Sequence, residues 1–190
     1  MKTLYSLALM LFVNFALAAC QRSDGVEAGP ETDSVNDRSI SLTPAEKDFI
    51  DYAAAMHAGE IKLAQLAKQK SSSEDIKEYA DVVIASHTDA LKELSDRAGQ
   101  DRTLETTSAS MDTQNHAKYL SPLSGAKFDQ EFIALMIADH KNAESTFTDE
   151  VSVNQNKDLA WYIREVLPSL ESDLSKAEEV RKTLGVAKAK

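Results

Sequence analysis

The sequence predicts an all-α protein whose main domain is a four-helix bundle, and three observations predict it. Four segments place apolar residues three and four positions apart, the period of one face of an α-helix. No strand-type alternation of useful length competes with them. Glycine is scarce, 6 in 190 residues, and within the bundle region it lies mainly at segment ends, as Gly99, Gly125 and Gly185. The clearest segment, residues 125 to 147, aligns Phe132, Met136, His140, Ala143 and Phe147 on one face, so a histidine interrupts an apolar stripe at mid-length.

The chain opens with Met1 and Lys2, then runs apolar from Leu4 to Ala19, ending in Leu17-Ala18-Ala19-Cys20. That run is about 16 residues and contains Asn14, short of the roughly 20 apolar residues that cross a bilayer, so residues 1–19 are expected to be an export signal. The tetrapeptide resembles the bacterial lipobox, and the resemblance implies that Cys20 is acylated and becomes the first mature residue. Acyl chains would hold the protein at a membrane without a spanning helix. Gln21 after the cysteine implies, by the same resemblance, the periplasmic side of the outer membrane. Cys20 is the only cysteine, so its acylation would exclude disulfides, thiolate metal sites and cysteine nucleophiles. Removing residues 1–19 takes away only Lys2 of the 21 basic residues and none of the 31 acidic ones, which leaves a net charge of −11. Such a surface repels nucleic acid and anionic lipid, so no nucleic-acid partner is expected.

Residues 20–42 are rich in Gly, Ser, Asp, Glu, Asn and Pro with scattered aliphatics, too few to bury, and read as a lipidated, disordered tether. The bundle is expected over 43–186. Thr43-Pro44-Ala45-Glu46 is a capping box with proline at the first helical position, and it launches a helix to about Lys70. Its inward stripe reads Phe49, Ala53, Met56, Glu60, Leu63, Ala67, with Gly59 inside the helix as a sign of another backbone close by. Ser71 to Ser73 offer caps for a second helix that runs to about Ala98 before Gly99, with the stripe Ile76, Ala80, Val83, His87, Ala90, Leu94. Residues 99 to 124 form a long connector with one short amphipathic turn around Met111 to Leu120 and a stop at Pro122. A connector of that length can carry the chain from one end of a bundle to the other, as ferritin-like folds do. The third long helix is expected from about Ala126 to Val151, and the fourth from about Asn156 to Leu184, before Gly185. The fourth carries the stripe Leu159, Ile163, Val166, Leu170, Asp173, Ala177, and a kink is expected at Pro168, which denies the Arg164 carbonyl its amide partner.

One polar residue interrupts each stripe: Glu60, His87, His140 and Asp173. All four lie near helix midpoints, so in an antiparallel bundle they can meet at one level. Two imidazoles and two carboxylates suit one zinc, copper or iron ion. His57 could join from the face of Glu60, and Asp139 could join the shell or, like Glu165, orient it from behind. The competing reading is a dry hydrogen-bonded network that only fixes helix register. His116, in the connector, is given no role.

Gly59-Glu60, Ser86-His87-Thr88, Gly125 with Phe128-Asp129, Ala138-Asp139-His140 and Pro168-Ser169-Leu170 resemble, in that order, the signposts of the bacterial domain-of-unknown-function 4142 family. The resemblance covers about residues 45 to 182 and implies a ferritin-like bundle in the cell envelope. Members commonly carry a histidine five residues after the helix-4 proline, where this chain has Asp173. Di-iron carboxylate bundles need Glu-x-x-His on two helices, but Ile84 and Ile137 stand three residues before His87 and His140.

No phosphate-binding loop, nucleophile elbow or basic aromatic patch is present, and no catalytic residue is assigned. The expected function is a lipid-anchored periplasmic bundle of envelope maintenance or stress that binds a transition metal. A metal-dependent redox enzyme of ferritin-like type and a structural module for a protein partner are the alternatives.

Overall fold

The computed structural model describes residues 42–98 and 110–185, so the expected export signal, Cys20 and nearly all of the tether lie outside the described residues. The described residues form five helices: α1 Pro44–Lys70, α2 Glu74–Ala98, α3 Met111–Leu120, α4 Gly125–Val153 and α5 Lys157–Thr183. No described helix is long and apolar enough to cross a membrane. The capping box forms as the sequence predicts: Thr43 N–H donates to Glu46 Oε2 at 2.7 Å and Glu46 N–H to Thr43 Oγ1 at 3.2 Å. Gly185 takes a φ of 66° after the last turn of α5, the left-handed geometry that ends helices cheaply only at glycine. α5 continues as helix through Pro168. Pro168 supplies no amide for the Arg164 carbonyl, and both residues are exposed.

The sequence reading of the connector changes in one respect. The expected turn around Met111 to Leu120 is a ten-residue helix of its own, capped by Ser110, whose Oγ accepts from Thr113 N–H at 3.1 Å. α3 packs against α1 and α4.

The four long helices pack in the ring order α1, α2, α5, α4. Neighbours run antiparallel, as paired contacts along them show: Phe49 with Phe147 and Glu60 with His140 across α1 and α4, Arg97 with Asp158 and His87 with Asp173 across α2 and α5. The ammonium of Lys70, at the end of α1, bonds the carbonyls of Ser121 and Leu123. The connector therefore brings the chain back to the end of the bundle where α2 began, the crossover expected of a ferritin-like arrangement.

Every predicted stripe residue is buried except Met56, which is half-buried. The apolar ones separate into two clusters. One gathers Leu63, Ile76, Tyr79, Val83, Phe132, Met136 and Ala177; the other gathers Phe49, Ile50, Leu94, Phe147, Tyr162, Ile163 and Leu170. Truncating a ring such as Phe132 or Phe147 to alanine would cost about 3–5 kcal/mol in either. Between the two clusters, at mid-bundle, lies the layer of polar residues that interrupts the stripes.

Gly59 marks a close approach, though of a side chain rather than the expected backbone. A Cβ at Gly59 would lie 3.3 Å from Thr113 Cβ and closer still to its hydroxyl. The missing side chain is what lets α3 seat on α1.

Candidate metal centre

Glu60, His87 and His140 converge from α1, α2 and α4: one ligand-type atom from each lies within 4.8 Å of the other two. Glu60 Oε2 is 3.8 Å from His140 Nδ1. Asp173 comes from α5 to the same level, its Oδ2 3.7 Å from His87 Nε2 and 4.0 Å from His140 Nε2. The His87 and His140 ring centres are 5.4 Å apart. All four side chains are buried. Antiparallel packing of helices with similar length is what stacks their midpoints and brings these interruptions together.

The surrounding hydrogen bonds fix which atoms face inward. His140 Nδ1–H donates to the Met136 carbonyl at 2.9 Å, which leaves Nε2 as the lone-pair nitrogen. His57 is buried beside the layer, its Nδ1 3.1 Å from His87 Nδ1 and its Nε2 2.8 Å from the Tyr162 hydroxyl. His57 thus spends both nitrogens on neighbours, and its place is behind His87. Ser86 Oγ–H donates to Asp173 Oδ2 at 2.5 Å and holds that carboxylate in place.

Glu60 Oε2, His87 Nε2 and His140 Nε2 have no hydrogen-bond partner among the described residues, although each is buried. An orphaned buried polar atom costs about 1–3 kcal/mol. Glu60, His87 and His140 each carry one such atom of ligand type and come together at mid-bundle, so the layer leaves polar atoms for a further partner to satisfy.

Burial drives the electrostatics. It lowers His57 to about 3, aided by the nearby His140, and holds His87 well below the ordinary imidazole value, aided by His57 and His140. His140 is also lowered by burial, against the opposing pull of its Met136 hydrogen bond and Asp173. Burial raises Glu60, with Asp139 and Asp173 adding repulsion, and raises Asp173 against the Ser86 hydrogen bond. Burial therefore favours the neutral imidazoles, the form that can bind a metal, and disfavours the ionised form of Glu60 and Asp173 unless a cation compensates it.

The donor set fits a transition metal. Nitrogen and oxygen ligands around a tetrahedral ion sit about 3.3 Å apart for bonds of 2.0–2.1 Å, so closing the cluster takes movements of about 1 Å. Glu60, His87 and His140 would supply three ligands, with Asp173 next in reach.

The remaining expected residues fall outside that shell. Asp139 turns toward α3, where its Oδ2 lies 3.4 Å from His116 Nδ1. Glu165 is exposed on α5 and orients nothing in the centre. Residues without an assigned role prove to matter: His116 faces Asp139, Tyr162 holds His57, and Ser86 holds Asp173. Ser86 directly precedes His87, and Tyr162 lies one position before the stripe residue Ile163, the signals by which they could have been found. Glu60 also lines a cavity of about 340 Å³ bounded by α1, α3 and α4.

Residues 32–180 match the family described as Domain of unknown function (DUF4142). No curated protein matches the chain. Two solved structures are similar. CopM in the Ag-bound form has a TM-score of 0.59 at 21% identity, over 72% of this chain and 94% of that one. CopM in the Cu(II)-bound form has a TM-score of 0.58 at 19% identity, over 71% and 94%. Likeness at that identity shows a shared helical-bundle fold.

Proposed function

The chain belongs to the domain-of-unknown-function 4142 family, and from that premise we propose that it is a lipid-anchored periplasmic bundle that binds one transition-metal ion through Glu60, His87 and His140, with Asp173 as a fourth ligand. The observation that carries the reading is the convergence, between two apolar cores, of three buried residues that each keep an unpartnered ligand-type atom. Burying ionisable groups without a compensating charge is costly, and a cation is the cheapest compensation for this set. The fold likeness to CopM, a protein with Ag-bound and Cu(II)-bound forms, supports copper among the candidates that the ligand chemistry allows, which also include zinc and iron. A role in envelope maintenance or stress follows from the anchor and the metal together.

Element analysis of protein purified without a histidine tag tests the centre. One equivalent of copper, zinc or iron, lost in the His87→Ala variant, is expected; a metal-free wild type that takes up none of the three on dialysis overturns it. The anchor rests on Cys20 and has its own test. Wild type is expected in the membrane fraction and Cys20→Ala in the aqueous one, and identical aqueous partitioning removes the anchor.

A metal-dependent redox enzyme is the second reading, favoured by the cavity that reaches Glu60. Redox turnover by loaded protein above that of the free ion would establish it.

A further inference from the structure

We propose that the cavity bounded by α1, α3 and α4 is the route by which cations reach the buried centre, and that His116 and Asp139 form an outer cation site in its wall. The inference rests on the metal-binding reading above and deepens it.

The centre has few other approaches. Along the bundle axis it is closed on one side by Tyr79, Phe132 and Met136 and on the other by Phe147, Tyr162 and Leu170, all essentially without exposure. Laterally, the cavity of about 340 Å³ reaches Glu60. Glu60 is only 3% exposed and its Oε2 has no partner among the described residues, so an unpaired buried acceptor sits at the inner end of the cavity.

The walls are chemically uneven. α1 contributes Tyr52, Ala55, Met56 and Leu63, with Glu60 its one carboxylate, while α3 and α4 contribute the polar side. Asp112 and His116 are one turn apart on α3 and share a face. On α4, Asp139, Asn142 and Thr146 follow a three-and-four spacing and form a polar stripe on the cavity. Among the described residues no lysine or arginine lines it. A cation entering from solvent therefore meets oxygen and imidazole ligands on these described walls.

His116 Nδ1 and Asp139 Oδ2 are 3.4 Å apart, with side chains 30% and 24% exposed. That separation matches two ligands on one ion with bonds of 2.0–2.1 Å, and the partial exposure lets the ion keep water on its other positions. Asp139 precedes His140 in the chain, so the outer ligand and the inner one are about 100° apart on the same turn of α4. An ion released from the outer pair faces Glu60 next.

An access site changes the rates of loading and release together and leaves their ratio unchanged, whereas a ligand of the centre changes the ratio. Stopped-flow loading of the mature protein with copper(II), followed by release to a chelator, separates the two. His116→Ala, Asp139→Asn and the double variant are expected to load about 10-fold more slowly or worse, with a flatter salt dependence. Release should slow by the same factor, and the affinity and stoichiometry of the centre should hold. Glu171→Gln on α5, which does not border the cavity, is the charge-matched control and should load like wild type. Variants that load at the wild-type rate overturn the route, and variants that lose equilibrium affinity at an unchanged loading rate overturn it by making these residues part of the centre. A wild type that takes up no copper(II) at all defeats the metal-binding reading itself, and the route falls with it.

Discussion

His57 Nδ1 and His87 Nδ1 lie 3.1 Å apart at the buried middle of the bundle, so one of the two nitrogens carries a proton and the other accepts it. The direction decides what His87 can do. If His87 Nδ1–H donates, its Nε2 is a lone pair aimed at the centre, and His57 Nε2–H donates onward to the Tyr162 oxygen 2.8 Å away. If the chain runs the other way, His87 Nε2 carries the proton and cannot bind a metal. His57 is thus a positioning residue for His87, and His57→Leu is expected to weaken metal affinity about 10–100-fold with stoichiometry unchanged. His57→Gln, whose amide oxygen can still accept, should recover part of the loss. Metal titrations of both variants check this, and imidazole nitrogen shifts of the wild type should show Nδ1–H on His87 in the loaded state.

The pH dependence of metal-free stability contains two opposed contributions. Histidines with lowered native values bind fewer protons folded than unfolded, so their contribution is full above about pH 6.5 and is lost as pH falls toward the native value. Glu60 and Asp173 are raised, so theirs is full below the unfolded carboxyl value and is lost as pH rises. The wild-type slope between pH 5 and 6.5 is the difference between these two contributions, and single variants should tilt it. With His57 at about 3, removing it should raise stability at pH 5 relative to pH 6.5 by about 2 kcal/mol, at 1.36 kcal/mol per pH unit. Glu60→Gln should tilt the curve the opposite way. Urea melts across that range would show it, and two variant curves parallel to wild type would refute the electrostatic account.

Stripe arithmetic made the interruptions at Glu60, His87, His140 and Asp173 legible, because a 3.6-residue period says which residues share a face and capping says where helices begin. That these residues meet at one level needed only antiparallel neighbours of similar length; the ring order came from the packing. What stayed hidden belongs to contacts between elements far apart in sequence. His57 lies one turn from Glu60, yet whether it faces the ion or backs His87 depends on α2 and on Tyr162 from α5. His116 lies within the short amphipathic turn read in the connector, but nothing in its spacing names a partner, and only the seating of α3 places it against Asp139. Asp139 was read as a companion of His140 because it is adjacent in sequence, but adjacent helical residues point about 100° apart, and that rotation sends it to α3.

Gly59 tests that seating. Alanine there should gain about 1 kcal/mol of helix propensity, yet its Cβ would crowd Thr113. Overpacking of this kind costs about 1–3 kcal/mol, so Gly59→Ala should be net destabilising or at best neutral. In a Thr113→Ala background the crowding atoms are mostly gone, and the same glycine change should turn toward its propensity gain. Thermal melts of the four proteins measure the coupling; additive effects would mean that α3 does not press on α1 at this point.

His87 and His140 provide the sharpest distinction between a metal centre and a network that only fixes register. Their ring centres are 5.4 Å apart, and both are buried with a lone Nε2. In loaded protein, truncating either one removes a ligand and leaves carboxylates without a charge partner, a loss of about 3–5 kcal/mol on the scale of other broken buried ion clusters. The second truncation then acts on a site that no longer holds the ion, so the double variant should lose much less than the sum of the singles. In metal-free protein the two rings make separate bonds, His140 to the Met136 carbonyl and His87 to His57, and the same cycle should come closer to additivity. Running it with and without copper(II), zinc(II) and iron(II) therefore isolates the ion's share of the coupling. Added metal should also raise the wild-type melting temperature in a concentration-dependent way and leave both single variants where they were. Equal coupling in the two conditions, with a melting temperature indifferent to metal, would return these four residues to the role of register and withdraw the ion.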